Sequence, residues 1–487
     1  MAADRRYVLC EDHATPPSAP LGRLGHLRVF AASLAGKDML RAAFIWDSPG
    51  NWTVALPNPS ERLRPFEETV RDISLYEATR MTGLPPEDFE GDQRAPRLAR
   101  FAKCFGRALQ PHLTDVSCRV HDANQSPGFD SAYWPPPRGE PATGRLQLFD
   151  NGELRHNFAR CGLTNLLPDF APERLRAAMH VRLFSGPEAE VRFDLCRVRR
   201  ERRPLSFCTL PLYGLPRMRA QVPGILDGWL AYHMGVLGFS RAEIYDIDGS
   251  FEEDLARWRE RGFEIGYHSR WPSWLSPELA RLSDGFAGCA ESLAYAHCLA
   301  THRALSRWVL LLHGPDEYLR LGSGTGELGP GHLARLVERL SAMSNHQVGQ
   351  LTVRSWPFGR GGSPAEEDRG QAGGSEALHR RWGRGSVLAA SRMRAERLDG
   401  SMHTPLLDPE RCTCAGPHSC TAEKGYVHGN ASEVDDRILV THHYVEMLPW
   451  DLGRCARLHN GMAPCNLPDD SLLWAGRLLR DWLPEPG

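Results

Sequence analysis

Two acidic residues follow a strongly apolar run in "WVLLLHGPDEY", which covers residues 308–318. The apolar run predicts a buried strand, and Asp316 and Glu317 stand where that strand stops. Carboxylate oxygens suit Mg²⁺ or Mn²⁺, and such an ion neutralises the charge of a leaving nucleotide diphosphate. An acidic turn is the alternative interpretation, because Gly-Pro and Pro-Asp are common turn formers.

A second pair of acidic residues, Asp246 and Asp248, ends the predicted strand "AEIYDID". An aspartate in this position can accept hydrogen bonds from a base or a ribose, or it can cap the next helix. Ser250 is the better predicted cap of that helix, which leaves both aspartates for a ligand. The two acidic strand ends are therefore candidates for one substrate site.

Four histidines stand near the acidic segments or in later apolar runs. His313 directly follows the first strand, His403 lies in "SMHTPLL", and His442 and His443 end the run "ILVTHH". Imidazole can serve as a metal ligand or as an acid or base, although a lone histidine more often has only a structural hydrogen bond. All four are candidate site residues.

The segment "CTCAGPHSC" places Cys412, Cys414, Cys420 and His418 close together, which is enough for one zinc ion if the four side chains converge. The spacing is not a standard zinc pattern, and in an oxidising compartment the same cysteines form disulfides. The chain has 13 cysteines, an odd number, so a monomer with every cysteine paired is excluded.

Alternating strand and helix patterns position these residues in the second half of the chain. Three strands and three helices alternate from residue 205 up to the strand at 308–312, and this order predicts a three-layer α/β domain over 204–487. Ligands of such a sheet bind outside the carboxyl ends of its strands. The Gly-rich segment 361–377 is predicted to be a mobile loop, either a lid or a surface insertion.

The first 203 residues have short alternating segments separated by Pro, Gly and Asp clusters. This pattern predicts a β-rich domain over 1–203, with a helical insertion around 61–83. Aromatic rings stack on sugars, so Trp46, Trp52 and Trp134 either contribute to a carbohydrate-binding surface or pack in the core.

Composition argues against several classes of protein. The formal net charge is -2, and "RVRRERR" at 197–203 is the one basic cluster, so no nucleic-acid partner is predicted. No run approaches the roughly 18–20 apolar residues that span a bilayer, and the first residues lack the apolar core of a signal peptide. The sequence has no G-x-S-x-G elbow, which argues against a serine hydrolase. The compartment stays open between the cytoplasm and the secretory route.

Seven segments share their order with a known family. In chain order they are "CTLPLYG", "GWLAYHMGVLGFSRAEIYDIDGS", "AHCLATHR", "WVLLLHGPDEYL", "SWPFG", "SMHTPLL" and "THHYVEM". Together they resemble glycosyltransferase family 92, formerly domain of unknown function 23, over residues 205 to 450.

The resemblance implies a GT-A-like fold that transfers a hexose, often galactose, from a UDP-sugar to a glycan acceptor, with Mn²⁺ or Mg²⁺ as cofactor and a Golgi or secretory location. The residues at matching positions are Asp246, Asp248 and Trp356 for the nucleotide sugar, Asp316 and His403 for the metal, and Glu317 for catalysis, with His313, His442 and His443 as further candidates. The first Asp of the family's metal motif is Gly314 here. A GT-A-fold protein that binds a glycan or a nucleotide sugar without transferring it is therefore the alternative.

Overall fold

A computed structural model describes residues 6–10, 16–20, 26–35, 39–47, 113–122, 144–148, 156–162, 173–183, 188–275, 290–322, 331–343, 348–359, 393–394, 399–416, 418–422, 438–444, 467–468 and 472. The predicted loop at 361–377 and the predicted helical insertion at 61–83 lie outside the described residues, as do Trp52 and Trp134.

The described residues form strands and helices along the whole chain. The strands are β1 Tyr7–Leu9, β2 Ser18–Pro20, β3 His26–Ala35, β4 Met39–Asp47, β5 Leu113–Asp122, β6 Gly144–Leu148, β7 His156–Gly162, β8 Arg174–Leu183, β9 Glu188–Arg197, β10 Arg203–Leu212, β11 Arg241–Asp246, β12 Ile265–His268, β13 Ser306–Leu312, β14 Glu317–Leu321, β15 Gln350–Gly359, β16 Met393–Arg394, β17 Asp399–Leu407, β18 Cys412–Ala415, β19 Cys420–Ala422, β20 Leu439–His443 and β21 Leu467–Pro468. The helices are α1 Leu215–Gln221, α2 Ile225–Leu230, which continues into a π-helical turn over Ala231–Val236, α3 Glu252–Glu260, α4 Glu291–Leu305 and α5 His332–Met343. Among these helices, none has the length and apolar character to cross a membrane.

The chain divides into two compact units. Unit 1 contains Met1–Arg202 and Ser269–Arg307, and unit 2 contains Arg203–His268 and Trp308–Gly487. This division differs from the predicted domains 1–203 and 204–487, because residues 269–307 group with unit 1. The physical reason is that α4 packs against β1, β3 and β4.

Unit 1 contains an antiparallel sheet with the strand order β5-β8-β9-β1-β3-β4-β7-β6, and β2 pairs with β3. The sheet curls into a half-barrel, because its end strands β5 and β6 approach each other. Strand β9 shows how the sequence produces the core: its buried Ala189, Val191, Phe193 and Leu195 alternate with more exposed polar residues. Trp46 lies on β4.

Unit 2 contains a mixed sheet with the strand order β12-β11-β10-β13-β17-β15-β16-β21, extended by β20 beside β15 and by β14 beside β20. Strand β11 is parallel to β10 and β12, whereas β17 is antiparallel to β13 and β15. Apolar side chains of α2 and β13, including Trp229, Leu230, Leu310 and Leu312, share one core. The predicted mixed α/β class is confirmed, and the structure divides its strands between two large sheets.

The strand order of unit 2 reverses between β10 and β13, because the chain adds β11 and β12 on one side of β10 and β13 on the other. The ends of β10 and β13 lie together: a Cβ atom on Gly314, just after β13, would stand 4.0 Å from Leu212 Cδ2 at the end of β10. Such a reversal opens a crevice outside the carboxyl ends of the strands. The acidic residues of the sequence analysis lie at this edge.

Candidate functional site

The carboxyl end of β11 is closed by a turn that Asp246 organises. Its Oδ1 accepts hydrogen bonds from the backbone N–H groups of Asp248 and Gly249 at 3.2 and 2.9 Å. Its Oδ2 accepts from the backbone N–H of Phe251 at 2.9 Å and from the Tyr267 hydroxyl at 2.7 Å. Burial, together with the nearby Asp248, raises the pKa of Asp246 to about 6, against the lowering effect of the Phe251 N–H and the Tyr267 hydroxyl. A fully buried carboxylate with four donors is a structural centre of the turn.

The prediction that Ser250 caps α3 is wrong. The residue before α3 is Phe251, which makes no side-chain capping bond, and Ser250 Oγ instead accepts a hydrogen bond from the Leu215 N–H at 3.1 Å. Asp246 was expected to be available to a ligand, but its carboxylate instead accepts the hydrogen bonds that hold this turn. The Ser250 oxygen accepts from an N–H group that only the folded chain brings near, instead of from the first turn of α3.

Asp248 is exposed and joins the ends of β10 and β11. Its Oδ2 accepts a hydrogen bond from the Gly214 N–H at 2.8 Å, and its Oδ1 accepts from the Ser250 N–H at 3.0 Å. These bonds lower the pKa of Asp248 despite the opposing effect of partial burial. Of the two aspartates of "YDID", Asp248 is the one that faces solvent.

Glu317 and His313 form a closed pair at the end of β13. His313 lies 2.8 Å from Glu317 Oε1 through its Nδ1, and the His313 backbone N–H donates to Glu317 Oε2 at 2.7 Å. Burial raises the pKa of Glu317, but the charge and hydrogen bond of His313, with His443, more than offset this and lower the pKa to about 2. Glu317 is buried, whereas the His313 side chain is 22% exposed. The histidine is thus the member of the pair that a ligand can reach.

Asp316 pairs with His443 next to the pair of Glu317 and His313, which together are called the Glu317 clamp below. Asp316 Oδ2 lies 3.1 Å from His443 Nε2, and His443 Nδ1 lies 3.8 Å from Glu317 Oε1. Strands β14 and β20 bring the three side chains together, because Glu317 and His443 are directly opposite in the antiparallel register. The Tyr444 N–H also donates to the Asp316 carbonyl at 2.9 Å. His443 therefore stands between both carboxylates of "PDEY".

The neighbouring candidate His442 lies on the other face of the strand. Successive residues of a strand point to opposite faces, and the His442 ring stacks on Phe358 with centroids 4.3 Å apart. Trp356, opposite His442 in the register of β15 and β20, packs against the core of unit 2. Strand periodicity alone could have predicted that His442 and His443, which are adjacent in "THHY", lie on opposite faces of the sheet.

Helix α2 fixes the strand that bears Glu317. Trp229 Nε1 donates to the Glu317 carbonyl at 2.9 Å, and the Tyr232 hydroxyl donates to the Leu319 carbonyl at 2.7 Å. Burial lowers the pKa of His233 to about 4, and its Nδ1 lies 3.0 Å from the Trp229 carbonyl. The segment "GWLAYH" thus holds β14 in place through its side-chain hydrogen bonds, a role that the sequence did not predict.

His418 joins the site from the segment that was a zinc candidate. Cys412 and Cys420 form a disulfide, so the zinc interpretation is wrong for these two sulfurs. His418 instead lies with its ring 5.0 Å from that of His313, and its Nδ1 is 2.7 Å from the His403 carbonyl. The His403 ring nitrogen Nδ1 is buried and has no hydrogen-bond partner. Sequence reasoning gave His403 as a metal ligand of the site and His418 only as a possible zinc ligand.

The donor set suits a divalent ion that arrives with its ligand. Asp316 Oδ2 and His443 Nε2 are hydrogen-bonded at 3.1 Å, so a metal ion bound by both atoms would have to replace the hydrogen between them. Among the described residues, the carboxylates and histidines of this site do not bring three donor atoms within 4.8 Å of one another. Asp316 and His443 would supply two protein ligands to Mg²⁺ or Mn²⁺, and the other ligands would have to come from water and substrate.

Gly314 allows the Asp316 carboxylate to lie against the backbone. A Cβ atom at residue 314 would stand 2.8 Å from Asp316 Oδ1, a distance that real Cβ contacts do not show. The site is therefore built around glycine where the resembling family has its first aspartate.

Compared with models of known protein families and with curated proteins, the sequence shows no significant match to either.

Proposed function

We propose that unit 2 is a GT-A-like glycosyltransferase domain that moves a hexose, galactose in the first instance, from a UDP-sugar to a glycan acceptor. The observation that carries the proposal is the position of Asp248 and of the Asp316 and Glu317 pair at the ends of β11 and β13, on both sides of the strand-order reversal. That edge is where nucleotides bind in doubly wound sheets. The resemblance to family 92 rests on these same segments.

His313 is the residue that we assign to proton transfer. Glu317, the carboxylate expected to be catalytic, has both oxygens engaged by His313 and is buried. It acts through His313, whose Nδ1–H it accepts, and this fixes Nε2 as the basic nitrogen of the neutral ring. Transfer to a sugar hydroxyl requires removal of its proton, and His313 Nε2 takes that proton.

Asp316 and His443 are the residues that hold the metal in this proposal. Mn²⁺ or Mg²⁺, when bound, neutralises the charge that develops on the leaving diphosphate. Asp248 accepts a hydrogen bond from the ribose or the base at the exposed end of β11. His403 stays a candidate ligand through its buried Nδ1.

The disulfides support a secretory location for this activity. Cys10 pairs with Cys196, Cys412 pairs with Cys420, and Cys208 and Cys298 are also disulfide-bonded. Structural disulfides persist in oxidising compartments. Glycan-extending enzymes of the Golgi work in such a compartment.

Binding without transfer is the second candidate function. Gly314 favours it, because the site lacks a second carboxylate for a metal at that position. Donor binding is expected of the transferase and of a nucleotide-sugar-binding protein but not of a glycan-binding protein, whereas release of UDP in the presence of an acceptor belongs to the transferase alone.

Calorimetric titration of the full chain with UDP and UDP-galactose, with and without Mn²⁺, tests the proposal. We expect binding that depends on Mn²⁺ and is lost in Asp316→Asn and His443→Gln. His442→Gln is the matched control, because it changes the next residue on the opposite face of β20. A folded protein that binds neither nucleotide would contradict the transferase and the nucleotide-sugar-binding protein, and would leave glycan binding as the remaining function.

A further inference from the structure

Strands β18 and β19 form a small antiparallel hairpin that carries His418 in its connection. The disulfide between Cys412 and Cys420 joins its two strands, and both cysteines are buried. Within the turn, the Gly416 N–H donates to the Ser419 carbonyl at 2.7 Å. The connection is therefore closed both covalently and by its own backbone.

Polar contacts fix this hairpin to the start of β15. The Cys420 N–H donates to Gln350 Oε1 at 2.7 Å, and Gln350 Nε2 reaches Thr352 Oγ1 at 2.9 Å. Arg411, just before β18, donates from Nη1 to the Val348 carbonyl at 3.1 Å. A hairpin tied at both strands holds the residue in its connection at a defined place.

The hydrogen bond of His418 determines which ring nitrogen faces the ligand. Nδ1 lies 2.7 Å from the His403 carbonyl, which can only accept, so Nδ1 carries the hydrogen. In the neutral ring Nε2 is then an acceptor. The partly exposed ring lies 5.0 Å from that of His313.

We infer that His418 is a ligand-contacting residue whose Nε2 accepts a hydrogen bond from a hydroxyl of the donor hexose, and that the disulfide hairpin positions it there. The inference rests on the proposed function. It follows from the position of His418 beside the residue assigned to proton transfer, since the hexose carbon that reacts lies next to that residue. A carbonyl-anchored imidazole selects ligands that present a hydroxyl donor at this point.

Two substitutions of His418 separate ligand contact from hairpin anchoring. Asparagine places an amide N–H where Nδ1 stands and has no atom at Nε2, so His418→Asn keeps the anchor and removes the contact. Glutamine reaches the position of Nε2 but loses the anchor. In calorimetry with Mn²⁺, we expect His418→Asn to weaken UDP-galactose about 10-fold and to leave UDP within about twofold, because one hydrogen bond to the hexose is lost. His418→Gln is expected to lower the melting temperature.

The disulfide supplies an independent arm of the experiment. Cys412→Ser with Cys420→Ser is expected to weaken UDP-galactose more than UDP, whereas the matched pair Cys10→Ser with Cys196→Ser in unit 1 is expected to change neither. If His418→Asn binds UDP-galactose as tightly as the wild type does, the inference is overturned, and His418 has only a structural role. A wild-type chain that binds no UDP-sugar would overturn the proposed function first, and the inference with it.

Discussion

The buried carboxylate of Glu317 offers the sharpest test of the site. Glu317→Gln keeps the shape of the side chain but replaces one of two acceptor oxygens with a donor. The wild-type carboxylate accepts from both the backbone N–H and Nδ1 of His313, at 2.7 and 2.8 Å. In the variant one of these donors faces an amide N–H, so the clamp on His313 opens on one side.

The size of the effect follows from the pKa of Glu317. Burial acts to raise it, yet the charge and hydrogen bond of His313, with His443, bring it from 4.5 down to about 2. Each pKa unit corresponds to about 1.4 kcal/mol. The full shift corresponds to about 3 kcal/mol with charged histidines, and the hydrogen bonds alone remain when His313 is neutral, so Glu317→Gln is expected to lower the free energy of unfolding by about 1–3 kcal/mol at pH 7.

The contribution of Glu317 also has a defined pH dependence. A carboxyl whose pKa is lower in the folded chain contributes fully above its unfolded pKa, and the contribution is lost as pH falls through the folded value. The stability difference between wild type and Glu317→Gln is therefore expected at pH 7 and to shrink between 4.5 and about 2.

Hydrogen exchange of the peptide over 308–321, at pH 7 and at pH 3, measures this local stability. Glu260→Gln is the matched control, because Glu260 is exposed on α3, and it is expected to change stability by less than about 0.5 kcal/mol. A loss below about 1 kcal/mol at pH 7, or an equal loss at both pH values, would show that the ionised Glu317 carboxylate does not stabilise the site through His313.

Four further variants test the surroundings of the site, each by urea denaturation of the full chain. Gly314→Asp and Gly314→Ala are both expected to cost about 1–3 kcal/mol, because a Cβ would stand 2.8 Å from Asp316 Oδ1; tighter Mn²⁺ binding by the aspartate variant would argue against this packing. Asp246→Asn is expected to cost about 1–3 kcal/mol, since it removes acceptors from the turn after β11; unchanged stability would point to a ligand contact alone. Cys412→Ser with Cys420→Ser is expected to cost about 2.5 kcal/mol from chain entropy, because the cysteines are 8 residues apart; a cost above about 5 kcal/mol would require another source of stability.

The mixed α/β class and the strand ends that bear acidic residues follow from local sequence pattern alone. Apolar runs such as "WVLLL" form buried strands in most contexts, and the helical spacing of "GWLAYHMGVLGF" favours a helix over a strand or a loop. The carboxylates of "YDID" and "PDEY" were identified for the same reason, since residues that follow a buried strand lie at the edge of the sheet. These are local consequences of side-chain polarity and period.

The partners of each carboxylate were decided by the tertiary structure. Both Glu317 and Asp316 lie next to His443, because β20 pairs with β14 although more than a hundred residues of chain separate them. His418 reaches His313 through a disulfide hairpin whose cysteines resembled zinc ligands in the sequence. No period or motif encodes such long-range pairings.

The roles of Asp246 and of residues 269–307 also depended on long-range contacts. Asp246 was expected to face a ligand, but its carboxylate is enclosed by donors from its own turn and by the Tyr267 hydroxyl of the neighbouring strand. Residues 269–307 were assigned to the second domain by their place in the chain, yet α4 packs on the strands of unit 1. Sequence patterns specify which faces are buried, whereas the choice of neighbour is made by the packing of the whole chain.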